Sequence, residues 1–482
     1  MPMNSKGLKK MADAATVLPG EKEQKIPRRH YSAIVVLISL LLVLSEGLSL
    51  RGARAAFVRC YFWLRQKMPS HTAIRDWILQ VGYYKLTTIQ KSNDWIGMID
   101  LSIQIGAKKC LLILGVQAST LLKRKPLTFE DVHVLHLELL EKTSGPIIYD
   151  VLKKSEEKVG QYGQFCHDQG SDIVAATRLY VQNAQAIEGR KVLVTHDIAH
   201  KIANLLAVEA EEVGWTEFAS KAAQVKQKLQ LTKWAALCPP SQRSKARYMN
   251  LDELTEWAHK ILAHLQKIEN EHRQKMEKNC NGLKLSETRL KELLEQFGWV
   301  RDYESMLREI SAMLLIGRIV RQKIRTEHLH KETPEELERE LQNLDVGDRA
   351  DQFAGNILDF LTDQTKNLEQ MVLGCTEIIE SSFGKMKQLM DEDTKDGFTP
   401  FILSLAACMG KLDLEIVKAA LLSCSKKQVK AWAITNVGET VYSQRRRLFN
   451  PFRKREKKQE QALQHTGGLD HTRIFTDEAV NF

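Results

Sequence analysis

Trp95-Ile96-Gly97-Met98-Ile99-Asp100, Lys109-Cys110-Leu111-Leu112-Ile113-Leu114-Gly115-Val116 and Gln164-Phe165-Cys166-His167-Asp168 are short apolar runs, two of which end on an aspartate. The first alternates apolar residues around Asp100 and the second is a compact apolar run, and both read as strands. The first extends from Trp95 to Ile105 around Asp100, the second covers Lys109 to Val116, and Val132 to Leu140 supplies a third. A helix is expected from Pro146 to Lys158. It is followed by the strand Gln164 to His167, a helix from Ser171 to Asn183 and a strand from Lys191 to Thr195. Three strands, helix, strand, helix, strand is the order of a mixed sheet that can hold acidic residues at neighbouring strand ends.

Outward from this region the pattern becomes helical. From Ile198 to about Gln370 the chain is charged and helical, broken mainly at Pro239-Pro240 and Pro334, and it shows no strand signal. A block of this kind inside a sheet domain reads as an insertion. Residues 395 to 450 form another helical unit, and residues 451 to 482 read as a basic, disordered tail. Residues 1 to 30 read as a second flexible basic tail.

The segment 31 to 90 reads as a small helical domain. A helix starts near Leu50, after Ser49. Another follows Pro69-Ser70, with Ser70 as N-cap and Gly82 placed to end it. The pair resembles a helix-turn-helix with Thr72, Arg75 and Asp76 on the polar face of its second helix, and Arg51 in the basic first helix. Ala33 to Leu44 is an apolar run of 12 residues, too short for the roughly 20 that span a bilayer, and a buried helix is expected. No membrane partner is expected.

Lys plus Arg number 70 against 60 for Asp plus Glu in 482 residues, a basic balance that suits a polyanionic partner. The length calls for several domains. Eight cysteines with no Cys-x-x-Cys pair exclude a zinc-knuckle signature and a small disulfide framework, and point to a reducing compartment.

Three acidic positions carry the chemical argument. Asp100 ends an apolar stretch, where an ionised side chain is costly to bury without a function. A strand-end aspartate facing solvent accounts for it equally well. Asp168 ends the fourth strand in His167-Asp168-Gln169-Gly170-Ser171-Asp172, where Asp172 is expected to cap the next helix. Glu380 lies on a helix with Ile379, Phe383, Met386 and Met390 as its apolar stripe, and it shares the adjacent face with Gly384 and Lys387.

Ile99-Asp100, Asp168-x-Gly-Ser-Asp172, Asp197-Ile198-Ala199-His200-Lys201 and Glu380-Ser381-x-Phe-Gly-Lys resemble motifs of bacterial insertion-sequence DDE-type transposases over roughly residues 45 to 450. The resemblance implies an α/β fold with an RNase H-like mixed sheet core, interrupted by a large all-α insertion and preceded by a helical DNA-binding domain. The implied partition is 31–90 for DNA binding, 91–200 for the first part of the core, 201–365 for the insertion, 366–394 for the last core helix and 395–450 for a C-terminal helical region. The implied triad is Asp100, Asp168 and Glu380, binding two Mg2+ or Mn2+ ions, with Asp172 and Glu377 as alternates. Asp197 and His200 match an Asp-x-x-His signature beside that triad and are expected to position it or the DNA. Lys387 stands where a family lysine contacts the transposon end. Where the best-known form of the last motif has a Tyr and an Arg before the Glu, this chain has Leu373 and Thr376.

The implied activity is cleavage at transposon ends and strand transfer into target DNA. The partners would be double-stranded inverted repeats and target, the synaptic complex a homodimer, and the location the cytoplasmic nucleoid. A catalytically inactive or domesticated DNA-binding descendant and an RNase H-like nuclease are the competing readings.

Overall fold

The computed structural model describes residues 26–27, 29–60, 68–105, 107–242, 251–277, 283–390 and 397–449. Three helices come first: α1 (Ala33–Leu44), α2 (Leu50–Cys60) and α3 (His71–Thr87). Every residue of α1 is buried, as its lack of any polar face requires, and no described helix is long and apolar enough to cross a membrane. Ser70 caps α3 as expected, its Oγ accepting from Ala73 N at 3.1 Å.

The helix does not stop at Gly82. That glycine is buried inside α3, where a Cβ would stand 2.1 Å from the carbonyl oxygen of Leu403. Close approach of another backbone, not a left-handed turn, is what the position requires. The residues expected to be a free tail also differ at their inner end, since Ile26 is buried and Arg29 donates to the carbonyl of Leu421 at 2.6 Å. Residues 1–25 and 451–482 lie outside the described residues.

The chain then builds β1 (Ser92–Ile105), β2 (Lys108–Gln117), β3 (His133–Leu140), α4 (Gly145–Val159), β4 (Gly160–His167), α5 (Ser171–Glu188) and β5 (Leu193–His196). The five strands form one mixed sheet in the order β3-β2-β1-β4-β5. The first three pair antiparallel, and β4 and β5 add parallel to β1. Alternation along the strands separates two cores. Ile96, Met98, Cys110, Leu112 and Leu114 face one, whereas Trp95, Ile99, Leu111 and Ile113 face the other with Ile148, Leu152, Ala176 and Tyr180 of α4 and α5. Burial on both faces explains why these strands read as nearly continuous apolar runs.

After β5 come α6 (Ile198–Glu212), α7 (Trp215–Leu229), α8 (Leu251–Glu277), α9 (Leu283–Phe297), α10 (Glu304–Glu327), α11 (Thr333–Leu341) and α12 (Asp348–Thr365). They bury a core of their own around Phe218, Leu265, Ile310, Val320 and Phe353. Both ends of this block are stitched together. Ile198 N donates to Gly374 O at 3.0 Å, and Leu329 and Val372 exchange backbone bonds of 2.9 and 2.8 Å. The chain thus leaves the sheet at β5 and returns beside the same strand.

It continues as α13 (Glu377–Met390), α14 (Ser404–Cys408), α15 (Leu414–Ser423) and α16 (Lys426–Asn436). Ile379, Phe383, Met386 and Leu389 of α13 join α1, α2, α3 and the C-terminal helices in the core under the first sheet face. The helices on either side of the sheet region in sequence therefore share one core with it.

Candidate active site across the parallel strands

The strand register assembles the acidic positions. Ile99 of β1 pairs with His167 of β4, and His167 pairs with His196 of β5. Asp100, Asp168 and Asp197 are each the next residue, so they form a row across three adjacent parallel strands, Asp100 within β1 and Asp168 and Asp197 directly after β4 and β5. With strands about 4.8 Å apart, neighbouring members of the row are about 5 Å apart at the backbone. Asp100 falls on the same alternation as Ile96 and Met98, on the sheet face where α13 packs. It is buried, and its charge adds to burial in holding the Cys110 thiol well above its usual range. The ladder with β2 shifts register between Asp100 and Ile103, a bulge directly beyond the aspartate, and pairing resumes from Ile103 to Ile105.

Asp168 and Asp197 are held in different ways. Asp168 is half-buried, and its Oδ1 accepts from Gly170 N at 3.1 Å across the turn. Asp197 is 2 % exposed and works as a hub: Oδ1 accepts from Ala199 N at 3.0 Å and from Thr376 N at 3.3 Å, while Oδ2 accepts from the Thr376 hydroxyl at 2.8 Å. It therefore caps α6 and ties the residue before α13 to the end of β5. Asp172 does not cap α5: no side chain does, and Asp172 sits inside the first turn. The turn glycine places Gly170 itself at the N-cap, two positions earlier than the sequence suggested.

Two more side chains complete the seam between sheet and α13. Gln164 Nε2 donates to Leu373 O at 2.7 Å and its Oε1 accepts from Leu373 N at 3.1 Å, while Thr195 Oγ1 donates to the same carbonyl at 2.6 Å. Leu373 and Thr376, the two departures from the transposase motif, are thus the residues by which the returning chain is fastened. Gln164 and Thr195 were not singled out from sequence, and Thr376 was noted there only as a departure from the motif before Glu380. A glutamine inside an apolar strand was the one available signal.

On α13 the structure separates the two glutamates. Glu377 accepts from Arg321 of α10 at 2.7 Å and lies 3.9 Å from Arg325, so it is committed to the helical block. Glu380, Gly384 and Lys387 are exposed on one face, as the spacing predicts, and a Cβ on Gly384 would meet nothing within 4 Å. His200 is half-buried on α6, one turn after Asp197. In the amino-terminal helices Arg51 and Thr72 are exposed, whereas Arg75 stacks on the Phe401 ring at 5.7 Å and Asp76 pairs with Lys426.

Behind the row, His167 and His196 meet edge to face at 5.0 Å. Burial, reinforced by His196, lowers the pKa of His167 to about 4 against the opposing pull of Asp168, so the ring is neutral near pH 7. Among the described residues, no three His, Cys, Asp or Glu side chains stand close enough together to hold a metal ion as they are placed. Asp100 and Asp168 nevertheless offer, from adjacent strands, the all-oxygen donors that suit Mg2+ or Mn2+. No protein-family model matches the chain, and no curated protein matches it in sequence.

Proposed function

We propose that this protein is a DDE-type DNA transposase with an RNase H-like core, acting on double-stranded DNA at the ends of its own element. The observation that carries the reading is the register that puts Asp100, where β1 and β4 stop pairing, level with Asp168, the residue after β4. It is supported by the helix bearing Glu380, which returns against the same sheet after a helical block that begins and ends beside β5.

In this reading Asp100, Asp168 and Glu380 hold two divalent ions. Such ions, when bound, polarise the phosphate and lower the pKa of an attacking water. The protein's own part is placement. Asp197 fixes the start of α13, Gln164 and Thr195 fix the approach to it, and Glu377 is kept out of the site by Arg321. Lys387, two turns after Glu380 on the exposed face, would meet a phosphate of the bound end, and Arg51, Thr72 and Arg75 would contact the inverted repeat. Hydrolysis at the end frees a 3′ hydroxyl, which then attacks target DNA. A homodimer bridging two ends and a nucleoid location follow from that reaction.

The test is cleavage of a supercoiled plasmid carrying the genomic DNA that flanks the gene, with Mg2+. Wild-type protein should nick at the boundaries of short inverted repeats, while Glu380→Ala should still retard the same DNA in a gel but leave it uncut. Cutting at the wild-type rate by Glu380→Ala would overturn the assignment.

A further inference from the structure

The turn that carries Asp168 is strained. Gln169 has φ +65°, a left-handed conformation that a residue with a side chain adopts at a cost of about 1 kcal/mol. Something must hold it, and the hydrogen bonds around His167 do so in one direction. Gln169 N–H can only donate, and it donates to His167 Nδ1 at 3.2 Å. The ring proton therefore sits on Nε2, which is 3.3 Å from Thr177 Oγ1, and the Thr177 hydroxyl passes its own proton to Ile173 O at 2.9 Å. His167 and Thr177 are both buried, 0 % and 2 % exposed, so no water replaces these partners. The relay runs from the strained turn through the imidazole into the first turns of α5.

We propose that His167 is a positioning residue for Asp168: by accepting from Gln169 N–H it locks the turn in the conformation that presents the Asp168 carboxylate beside Asp100. This rests on the reading of Asp168 as a metal ligand. His167 touches neither DNA nor metal in this role. It acts through two residues, and what it sets is the geometry of a neighbour.

The experiment measures Mn2+ binding to the full-length protein by electron paramagnetic resonance, without DNA, beside the cleavage assay. His167→Leu fills similar volume but cannot accept a hydrogen bond, and it should weaken Mn2+ binding at least tenfold. In His167→Asn, Oδ1 takes the place of Nδ1, and binding should stay within about threefold of wild type. Adding Gln169→Gly to His167→Leu removes the strain that the hydrogen bond opposes. That double variant should recover most of the lost affinity, which a merely structural role for His167 would not produce. Should His167→Leu fail to fold, Thr177→Val, which takes away the partner of Nε2, replaces it and should weaken binding about threefold. Wild-type Mn2+ affinity in the Leu or Val variant, or a loss in His167→Asn as large as in His167→Leu, overturns the proposal. Asp168→Asn separates the two levels: if it binds Mn2+ as tightly as wild type, the metal-ligand reading itself fails whatever His167 does.

Discussion

Replacing Asp197 by Ala removes an acceptor that three buried donors share: Ala199 N, Thr376 N and the Thr376 hydroxyl. A hydrogen bond to a charged group contributes about 1.5–3 kcal/mol, and a buried donor left without a partner costs about 1–3 kcal/mol. Loss of an N-cap alone costs about 1 kcal/mol. These terms overlap, because the carboxylate also regains hydration on unfolding, and a net destabilisation of about 3 kcal/mol is expected for Asp197→Ala. Asp197→Asn keeps an oxygen for the two backbone donors and lets the Thr376 hydroxyl turn to accept from the amide, so about 1 kcal/mol is expected. Asp172→Ala, at a position that caps nothing, should cost less than about 1 kcal/mol, the range of a first-turn carboxylate near the helix dipole. Equilibrium urea unfolding of the three variants measures all of this. A reversed order, with Asp172→Ala more damaging than Asp197→Ala, or an Asp197→Ala loss under 1 kcal/mol, would refute the account of the seam.

Gly82→Ala should destabilise the protein by about 2 kcal/mol despite the better helix propensity of Ala, because its Cβ meets the Leu403 carbonyl; thermal unfolding above the wild-type midpoint would contradict this. His328 is buried, and desolvation lowers its pKa to about 4 from an ordinary value near 6.5. The folded state then binds fewer protons than the unfolded state between those values. The His328 contribution to stability should accordingly be complete above pH 6.5, fall by up to about 3 kcal/mol as pH drops towards 4, and level off below. His328→Gln should flatten that part of the urea-midpoint profile, and an unchanged slope would exclude His328 as its source. Lys387→Ala should lower the slope of log affinity for the element's end against log salt by about one, read by gel retardation at several salt concentrations.

The strands, α4, α5 and the helix around Glu380 lie close to where periodicity placed them, because each is dictated by local alternation or by its caps. Ser70 was readable for that reason. Gly82 was misread because a helix-ending glycine and a glycine under a crossing backbone look alike in sequence, and only the Leu403 carbonyl distinguishes them. The register Ile99–His167–His196, which lines up the three aspartates, involves strands separated by a hairpin and two helices, and nothing local encodes it. The roles of Thr376 and Gln164 escaped for the same reason: their partners are 179 and 209 residues away in the chain. Asp197 looked like a residue working on the site, and the structure shows what it holds in place.

In the proposed site Asp100, Asp168 and Glu380 would surround one pair of divalent ions. Fe2+ bound in place of Mg2+ generates hydroxyl radicals that cut the nearby backbone, and the fragments map its position. Cuts are expected close to residues 100, 168 and 380 in the same protein, suppressed together by excess Mg2+ and lost together in Asp168→Asn. Cuts clustered only around residue 197, or cuts at 100 and 168 with none near 380 when the element's end is bound, would contradict it.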